Sequence, residues 1–531
     1  MRRKRKADGT PKVVSPPCGV DRLSSLPDDV LGHILSFLPT PQAVLLCRLS
    51  RRWRRVWPSR ATALNLSVRD CVRRGAGPRF CSVARGALAR FPTPGIPAVS
   101  VEVNSHAYLA GANAWYREAM DRAVGSVRIS APRGLTRFEL PRCTRATALA
   151  LRLSHLVDLE LPDPTNQAAA AAPAFGRLAE LSLTTVLLPD GAPPLHEFLS
   201  SCCPRLRRLR LSCVRGGDAV RRLALSSDAL ELLDLNNVDG LQWLDVAAAN
   251  LRSLSVRSCF RRAGDDDDDV EQETTTEVVI SAPRMEAVRW RRSYPSQLRF
   301  LAGAAHVRRL TGLKLPARGR SDRFDFPCTV QLLRACSAVE HLGLDLVMPD
   351  QMALLNWLGP DQGSCEEEDL LRHVPQLPNV RVLSLTIRWG IGGNIVPSLA
   401  SLLSRFPRLT GLCIDSSPYC LTVLEGQGAV RRLRWQYQFG GARADGEKLL
   451  QLDSLREISI DGLKGTDREE CRVMELLLAD ALPSLQRVSL KFHATAMPVN
   501  DEIADEIRER FPMSTGSWTR PTSSVLAWSS K

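Results

Sequence analysis

At 531 residues the chain is longer than one hydrophobic core usually organises, so at least two structural units are expected. Hydrophobic residues make up 44% and charged residues 24%, an ordinary balance for a soluble globular protein; aromatics are low at 5% and leucine supplies the apolar content, which points to a repeat. The net charge of +14 is unevenly placed, because residues 1–60 hold thirteen Lys/Arg against four Asp/Glu, and the near-balance of the rest speaks against a nucleic-acid-binding body.

No apolar secretory region follows Met1 and no apolar run approaches 18 residues, so neither a signal peptide nor a membrane span is expected. The 15 cysteines are therefore read as free, mostly buried thiols of a reducing compartment. None belongs to a zinc-spaced pair of Cys-x-x-Cys motifs, and no metal or other cofactor is expected. Residues 1–20 are basic, contain proline and lack periodicity, so they read as a disordered tail. Within them Arg2, Arg3, Lys4, Arg5 and Lys6 form a candidate nuclear import signal; the alternative is a merely solvated tail. The import reading places the protein in the nucleus, with the cytoplasm as the second compartment.

Residues 21–60 read as a compact helical unit. Pro27 followed by Asp28 and Asp29 looks like a helix start, with carboxylates at the positive end of the dipole. Leu31, Ile34, Leu35 and Leu38 follow at the spacing of one apolar helix face, and Pro39 ends that helix. Thr40 is a candidate N-cap of the next helix. A third stripe runs Leu49, Trp53, Val56, Trp57, with Pro58 expected to stop it. A unit this small cannot cover so many large apolar side chains, and the surplus predicts a protein partner.

The run Asp21-Arg-Leu-Ser-Ser-Leu-Pro-Asp-Asp-Val-Leu-Gly-His-Ile-Leu-Ser-Phe-Leu-Pro-Thr40, followed by Leu49-Ser-Arg-Arg-Trp-Arg-Arg-Val-Trp57, resembles a plant-type F-box. The resemblance implies docking to a Skp-type adaptor, and through it to a cullin, with Leu26, Pro27, Leu31, Ile34, Leu35 and Trp53 as the adaptor-contacting positions. Gln42-Ala43-Val44-Leu45-Leu46-Cys47 departs from the family pattern, which more often has lysine at 42 and threonine or serine near 46–47.

Residues 61–130 read as a linker with a first irregular repeat. From residue 131 to 414 an apolar-x-x-apolar-x-apolar pattern recurs, for example Leu135/Phe138/Leu140, Leu156/Leu159/Leu161, Leu178/Leu181/Leu183, Leu206/Leu209/Leu211 and Leu230/Leu233/Leu235. This is the signature of leucine-rich repeats. The expected fold is α/β: a three-helix F-box followed by a solenoid whose parallel strands line a concave face, with return helices such as Leu195–Cys202 on the convex side. An acidic insertion spans 261–277. Residues 455–490, within a 415–492 segment of terminal repeats, resemble the FBD-type region of plant F-box proteins. Residues 493–531 read as a helix and a loose polar tail.

The x positions of each strand should face the concave side. Arg208, Arg210, Arg289, Arg291, Arg432 and Arg434 are the candidate target-binding residues there, because arginine is favoured at recognition hot spots. Trp389-Gly-Ile-Gly-Gly-Asn394 lacks the third glycine of a dinucleotide loop and reads as a connector. The eight histidines show no metal spacing, no Gly-x-Ser-x-Gly elbow occurs, and nothing singles out a thioester-forming cysteine.

The resemblance thus implies a non-catalytic substrate-recognition subunit of an SCF-type ubiquitin ligase, with an unknown protein target. The alternatives are a non-degradative scaffold using the same F-box, or a nuclear nucleic-acid-associated protein using the basic N-terminal segment. A membrane partner is not expected, and nucleic acid is the less favoured partner.

Overall fold

The computed structural model describes residues 25–46, 50–60, 63–69, 80–89, 91, 93–103, 112–131, 136–162, 173–260, 275–319, 325–347, 368–387, 396–416, 452–463, 468–478, 484–492, 501–511, 516–522 and 524–530. The candidate import cluster Arg2–Lys6, Arg432, Arg434, the loop at 389–394 and nearly all of the acidic insertion lie outside these residues.

Three helices come first: α1 (Asp28–Phe37), α2 (Thr40–Leu46) and α3 (Arg51–Arg60). Asp28 and Asp29 sit in the first turn of α1, where carboxylates complement the helix dipole. Arg52 of α3 donates to Asp28 at 2.8 Å and to the Leu26 carbonyl, tying the third helix to the start of the first. One local expectation fails: helix α3 runs through Pro58 to Arg60, since a proline near a helix end removes only one backbone bond. Thr40 opens α2, and its hydroxyl accepts from the backbone N–H of Asn65 at 2.8 Å.

Strands follow in chain order: β1 (Ala63–Ser67), β2 (Ile96–Glu102), β3 (Ala123–Ser130), β4 (Arg137–Glu139), β5 (Ala148–Arg152), β6 (Asp158–Glu160), β7 (Glu180–Leu187) and β8 (Arg208–Arg215). Then come β9 (Arg222–Ser226), β10 (Leu232–Val238), β11 (Trp243–Ala247), β12 (Ser253–Arg257), β13 (Glu277–Ser281), β14 (Ala287–Arg291), β15 (Gln297–Ala302), β16 (Arg309–Pro316) and β17 (Arg318–Gly319). The last are β18 (His341–Val347), β19 (Glu368–Asp369), β20 (Val382–Ile387), β21 (Gly411–Asp415), β22 (Glu457–Leu463), β23 (Arg487–Phe492), β24 (Gly516–Thr522) and β25 (Val525–Ser530).

A single parallel ladder links β1, β2, β3, β5, β7, β8, β10, β12, β14, β16, β18, β20, β21, β22 and β23. Alternation decides which side chains go inside. Leu209 and Leu211, Leu233 and Leu235, Leu254 and Val256 are all buried, while the residues between them face out. The core is continuous along the array because each strand stacks its leucines on the next.

The array starts earlier than the leucine pattern suggests. Its first strands are β1 and β2, where Leu64, Leu66, Val99 and Val101 point inward. Phe138/Leu140 and Leu156/Leu159/Leu161 do not belong to the main ladder of strands, and Leu135 lies outside the described residues. Phe138 and Leu159 lie in the short strands β4 and β6, which pair with each other, while the main ladder passes through β3 and β5. The convex side is only partly helical. Helices Leu195–Cys202, Asp325–Ala335, Val396–Leu403 and Arg468–Leu478 return the chain in some repeats, but between residues 222 and 302 the return segments are strands. There β9, β11, β13 and β15 form a second parallel sheet that buries Leu223, Leu244, Val246, Val278 and Ile280.

Successive repeats leave their strands at one position. Thr185, Cys213, Asn237, Ser258 and Arg292 all have φ between 48° and 54°, and Gly462 has φ 84°. Each stands four residues after an inward leucine, valine or isoleucine (181, 209, 233, 254, 288, 458), so the stacking geometry holds five non-glycine residues left-handed at a cost of about 1–2 kcal/mol each.

The far end is a hairpin rather than a loose tail. β25 runs antiparallel to β23 and β24 antiparallel to β25, with Leu526 and Trp528 buried. An open edge of a parallel sheet leaves backbone groups unpaired, and this hairpin covers it.

Candidate functional site

Two surfaces stand out, and β1 connects them. The first is on the three-helix unit. Its core is only Leu31, Leu35, Ala43 and Val56, against which Leu26, Ile34, Leu38, Leu46, Trp53 and Trp57 pack partly buried. Leu31 and Leu35, expected as contact positions, are 1% exposed and hold the unit together from inside. Pro27 is exposed, and Leu26, Ile34 and Trp53 are half-buried. The apolar surface left in water is Val30, Val44 and Leu45, 40%, 46% and 43% exposed, together with Phe37 at 73%. Val44 and Leu45 lie within the 42–47 segment that departs from the family pattern at 42 and 46–47. Of the arginines on α3, Arg52 is tied to Asp28, and Arg51, Arg54 and Arg55 are exposed on its polar side.

This unit is fastened to the array. The Asn65 side chain of β1 donates to the carbonyls of Ser36 at 2.6 Å and Leu38 at 3.0 Å, the end of α1. With the Thr40–Asn65 bond and the Trp57–Phe91 edge contact (ring centroids 6.5 Å apart), the helices close the near end of the sheet as the hairpin closes the far end.

The second surface is the concave face of the ladder. The register defines its central row: Asn65, Ser100, Arg128, Ala150, Ser182, Arg210, Asp234, Ser255, Arg289, Thr311. A cleft of about 920 Å³ lies over its first strands, with Phe37 on one wall and Arg128, Arg208 and Arg210 along the face. Ala98, Ser100, Ala150 and Ser182 floor it, all small enough to let a ligand backbone come close.

The charges on this face sort into two kinds. From β3 to β18 its outward carboxylates are Glu180, Asp234 and Asp345, and each is held by an arginine: Arg208 at 2.9 Å, Arg257 at 3.1 Å and Arg291 at 3.3 Å. Among the described residues Arg128, Arg210 and Arg289 have no such partner. Of the four described candidates, Arg210 and Arg289 are thus open to a ligand, and Arg208 and Arg291 are engaged. Arg128 escaped the sequence reading, although Val127-Arg128-Ile129 carries the same apolar-x-apolar signal with β-branched residues in place of leucine.

The edge just before the strands is different. Arg207, Glu231, Arg252, Glu286, Arg308, Glu340 and Arg381 alternate in sign along successive repeats, and from Glu231 on each backbone N–H donates to the preceding carbonyl of the series at 2.7–2.9 Å. Ion pairs at 3.7, 3.6 and 3.9 Å join 207 to 231, 252 to 286 and 308 to 340. Six of these charges therefore pair with one another, unlike Arg128, Arg210 and Arg289 of the central row.

The sequence model for the F-box domain matches residues 23–61, the three helices, and that for the LRR repeats of "FBD-associated F-box protein At5g56370" matches residues 112–315. The chain is similar to plant F-box/leucine-rich-repeat proteins. Among its relatives in Arabidopsis thaliana, F-box/FBD/LRR-repeat protein At5g56420 is 29% identical over 218 residues, covering 41% of this chain and 49% of the relative. F-box protein At5g03100 is 30% identical over 243 residues, covering 45% and 62%. F-box/LRR-repeat protein At5g02910 is 49% identical over 51 residues, covering 10% and 11%. The chain therefore spans about half the length of the first curated relative it matches.

Among the described residues the thiols form no built centre for covalent chemistry. Burial pushes Cys259 up to about 11 and Cys336 up to about 12, and raises Cys143 and Cys203 as well. Cys413 is exposed on the concave face, yet partial burial and the nearby carboxylates of Asp461 and Glu457 raise it too. A protonated thiol is a poor nucleophile. Among the described residues no group of three or more His, Cys, Asp or Glu is placed to hold a metal, and no helix is long and apolar enough to cross a membrane.

Proposed function

We propose that this chain is the substrate-recognition subunit of an SCF-type ubiquitin ligase. The α1–α2 apolar face docks a Skp-type adaptor, which links to a cullin, and the concave face holds a target protein for ubiquitination and degradation. The observation that carries the reading is the pairing of Val30, Val44 and Leu45, exposed on a unit with a small core, with a hydrogen-bonded attachment of that unit to the repeat array through Asn65. Exposed apolar side chains on so small a unit favour a covering protein. A fixed attachment sets the distance between adaptor and target, and in a ligase that works by proximity this is what the chain must supply. No catalytic residue of its own is required. The basic cluster Arg2–Lys6 extends the proposal to a nuclear location, tested by imaging a fluorescent fusion with all five changed to Ala; an unchanged distribution contradicts that part.

The test is a pull-down of purified Skp-type adaptor and cullin by the intact chain and by Val44→Asp/Leu45→Asp. Retention by the first and loss by the second supports docking through this face. Equal retention, or none by either, refutes it.

A further inference from the structure

We infer that the central row of the concave face reads an extended acidic segment of a partner protein, laid across the strands, with carboxylates about four residues apart. This rests on the reading of that face as the target surface and names what it takes. Three observations converge. From β3 to β18 the carboxylates on the face are each matched by an arginine, so there Arg128, Arg210 and Arg289 are a surplus of positive charge with no carboxylate partner. The register spaces these three evenly: Arg128–Ala150–Ser182–Arg210 and Arg210–Asp234–Ser255–Arg289 are each three strand steps. At about 4.8 Å per step that is roughly 14 Å, the rise of about four residues of extended chain. Finally, the residues between them are small or already neutralised: Ala150, Ser182 and Ser255 leave room for a backbone, and Asp234 is held by Arg257.

The cleft adds a direction. Beyond Arg128 the row continues through Ser100 and Asn65 to the F-box, where Phe37 stands 73% exposed on the cleft wall. A segment whose first carboxylate meets Arg128 brings a residue about four positions further on against Phe37. An apolar side chain fits there. The occupant is then a partner segment with one apolar residue followed by two or three Asp or Glu at about four-residue intervals, in either chain direction. Guanidinium groups take carboxylates bidentately, which fixes spacing as well as sign.

The test selects peptides from a random 16-residue library on the immobilised intact chain. The same selection runs on Arg128→Gln/Arg210→Gln/Arg289→Gln and on Arg152→Gln/Arg309→Gln, which removes charge from the same face but outside the row. All changed residues are exposed, and a thermal melt checks that each variant is folded. The expected result is enrichment of peptides with Asp or Glu about four residues apart, falling at least about tenfold on the triple variant and staying within about twofold on the double. Enrichment without acidic spacing, equal enrichment on the triple variant, or no enrichment overturns the inference. Adaptor binding is measured separately on the same proteins: its loss with peptide selection intact counts against the ligase reading alone, and the reverse counts against this inference alone.

Discussion

The F-box and the repeat array meet at β1 and dispose of their apolar side chains in opposite ways. Among the described residues of the three helices the buried apolar side chains are Leu31, Leu35, Ala43 and Val56, while Val30, Val44 and Leu45 stay in water. In the array one core runs from Leu64 to Trp528, and its ends are closed by the helices and by the β24–β25 hairpin. The lesson is about where a partner is needed. A solenoid completes its own core by adding repeats and capping the ends. A unit of three short helices has no such resource and leaves its surplus for another protein. What the array leaves open is charge, Arg128, Arg210 and Arg289 of the central row among it, while six charges of the edge pair among themselves.

Substitutions break this comparison on either side. The largest effect is expected for Leu233→Ala, in the middle of the continuous core: a loss of about 2–5 kcal/mol, read as a lower denaturant midpoint of the main unfolding transition. Leu35→Ala leaves that main transition in place and exposes Trp53 and Trp57 to quenchers instead; if both substitutions shift the same transition equally, the two regions are one cooperative unit. Next comes Asn65→Ala, which strips the Ser36 and Leu38 carbonyls of their donor and costs about 1–3 kcal/mol at the junction. Limited proteolysis within residues 25–60 should accelerate while the array resists.

The buried thiols give a pH effect. Their folded values lie above the ordinary value of 9.0, up to about 11 for Cys259 and about 12 for Cys336. The unfolded chain therefore loses these protons first. The stability they contribute is intact below pH 9 and declines as pH rises from there toward 12. Thermal melts across that range test it, with Cys259→Ala/Cys336→Ala flattening the decline. The smallest effect is expected at the edge, where Glu286→Lys puts like charges beside Arg252 and Arg308 and costs under about 1 kcal/mol, less at high salt.

Much of this was legible in the chain. The F-box helices follow from the spacing of Leu31, Ile34, Leu35 and Leu38, and the later strands from Leu-x-Leu pairs such as Leu209/Leu211. What escaped has physical causes. Strands β2 and β3 use Val and Ile inward, so a leucine pattern does not reveal them or Arg128. Leu223/Leu225 and Leu244/Val246 alternate just as concave strands do, and period alone does not say which side of the core a strand lines. The hairpin was hidden because Leu526 and Trp528 gain their partners only from β23, remote in sequence. The resemblance gives Leu31 and Leu35 as contact positions, yet both are buried within the unit, because an apolar position does not show whether its own fold or a partner covers it.

Hydrogen–deuterium exchange of the intact chain with and without a Skp-type adaptor tests the central division of labour most directly. The account predicts added protection in α1 and α2, residues 28–46, and none in the concave strands β3 to β14, which remain open for the target. Protection across those strands, or no protection anywhere, contradicts it.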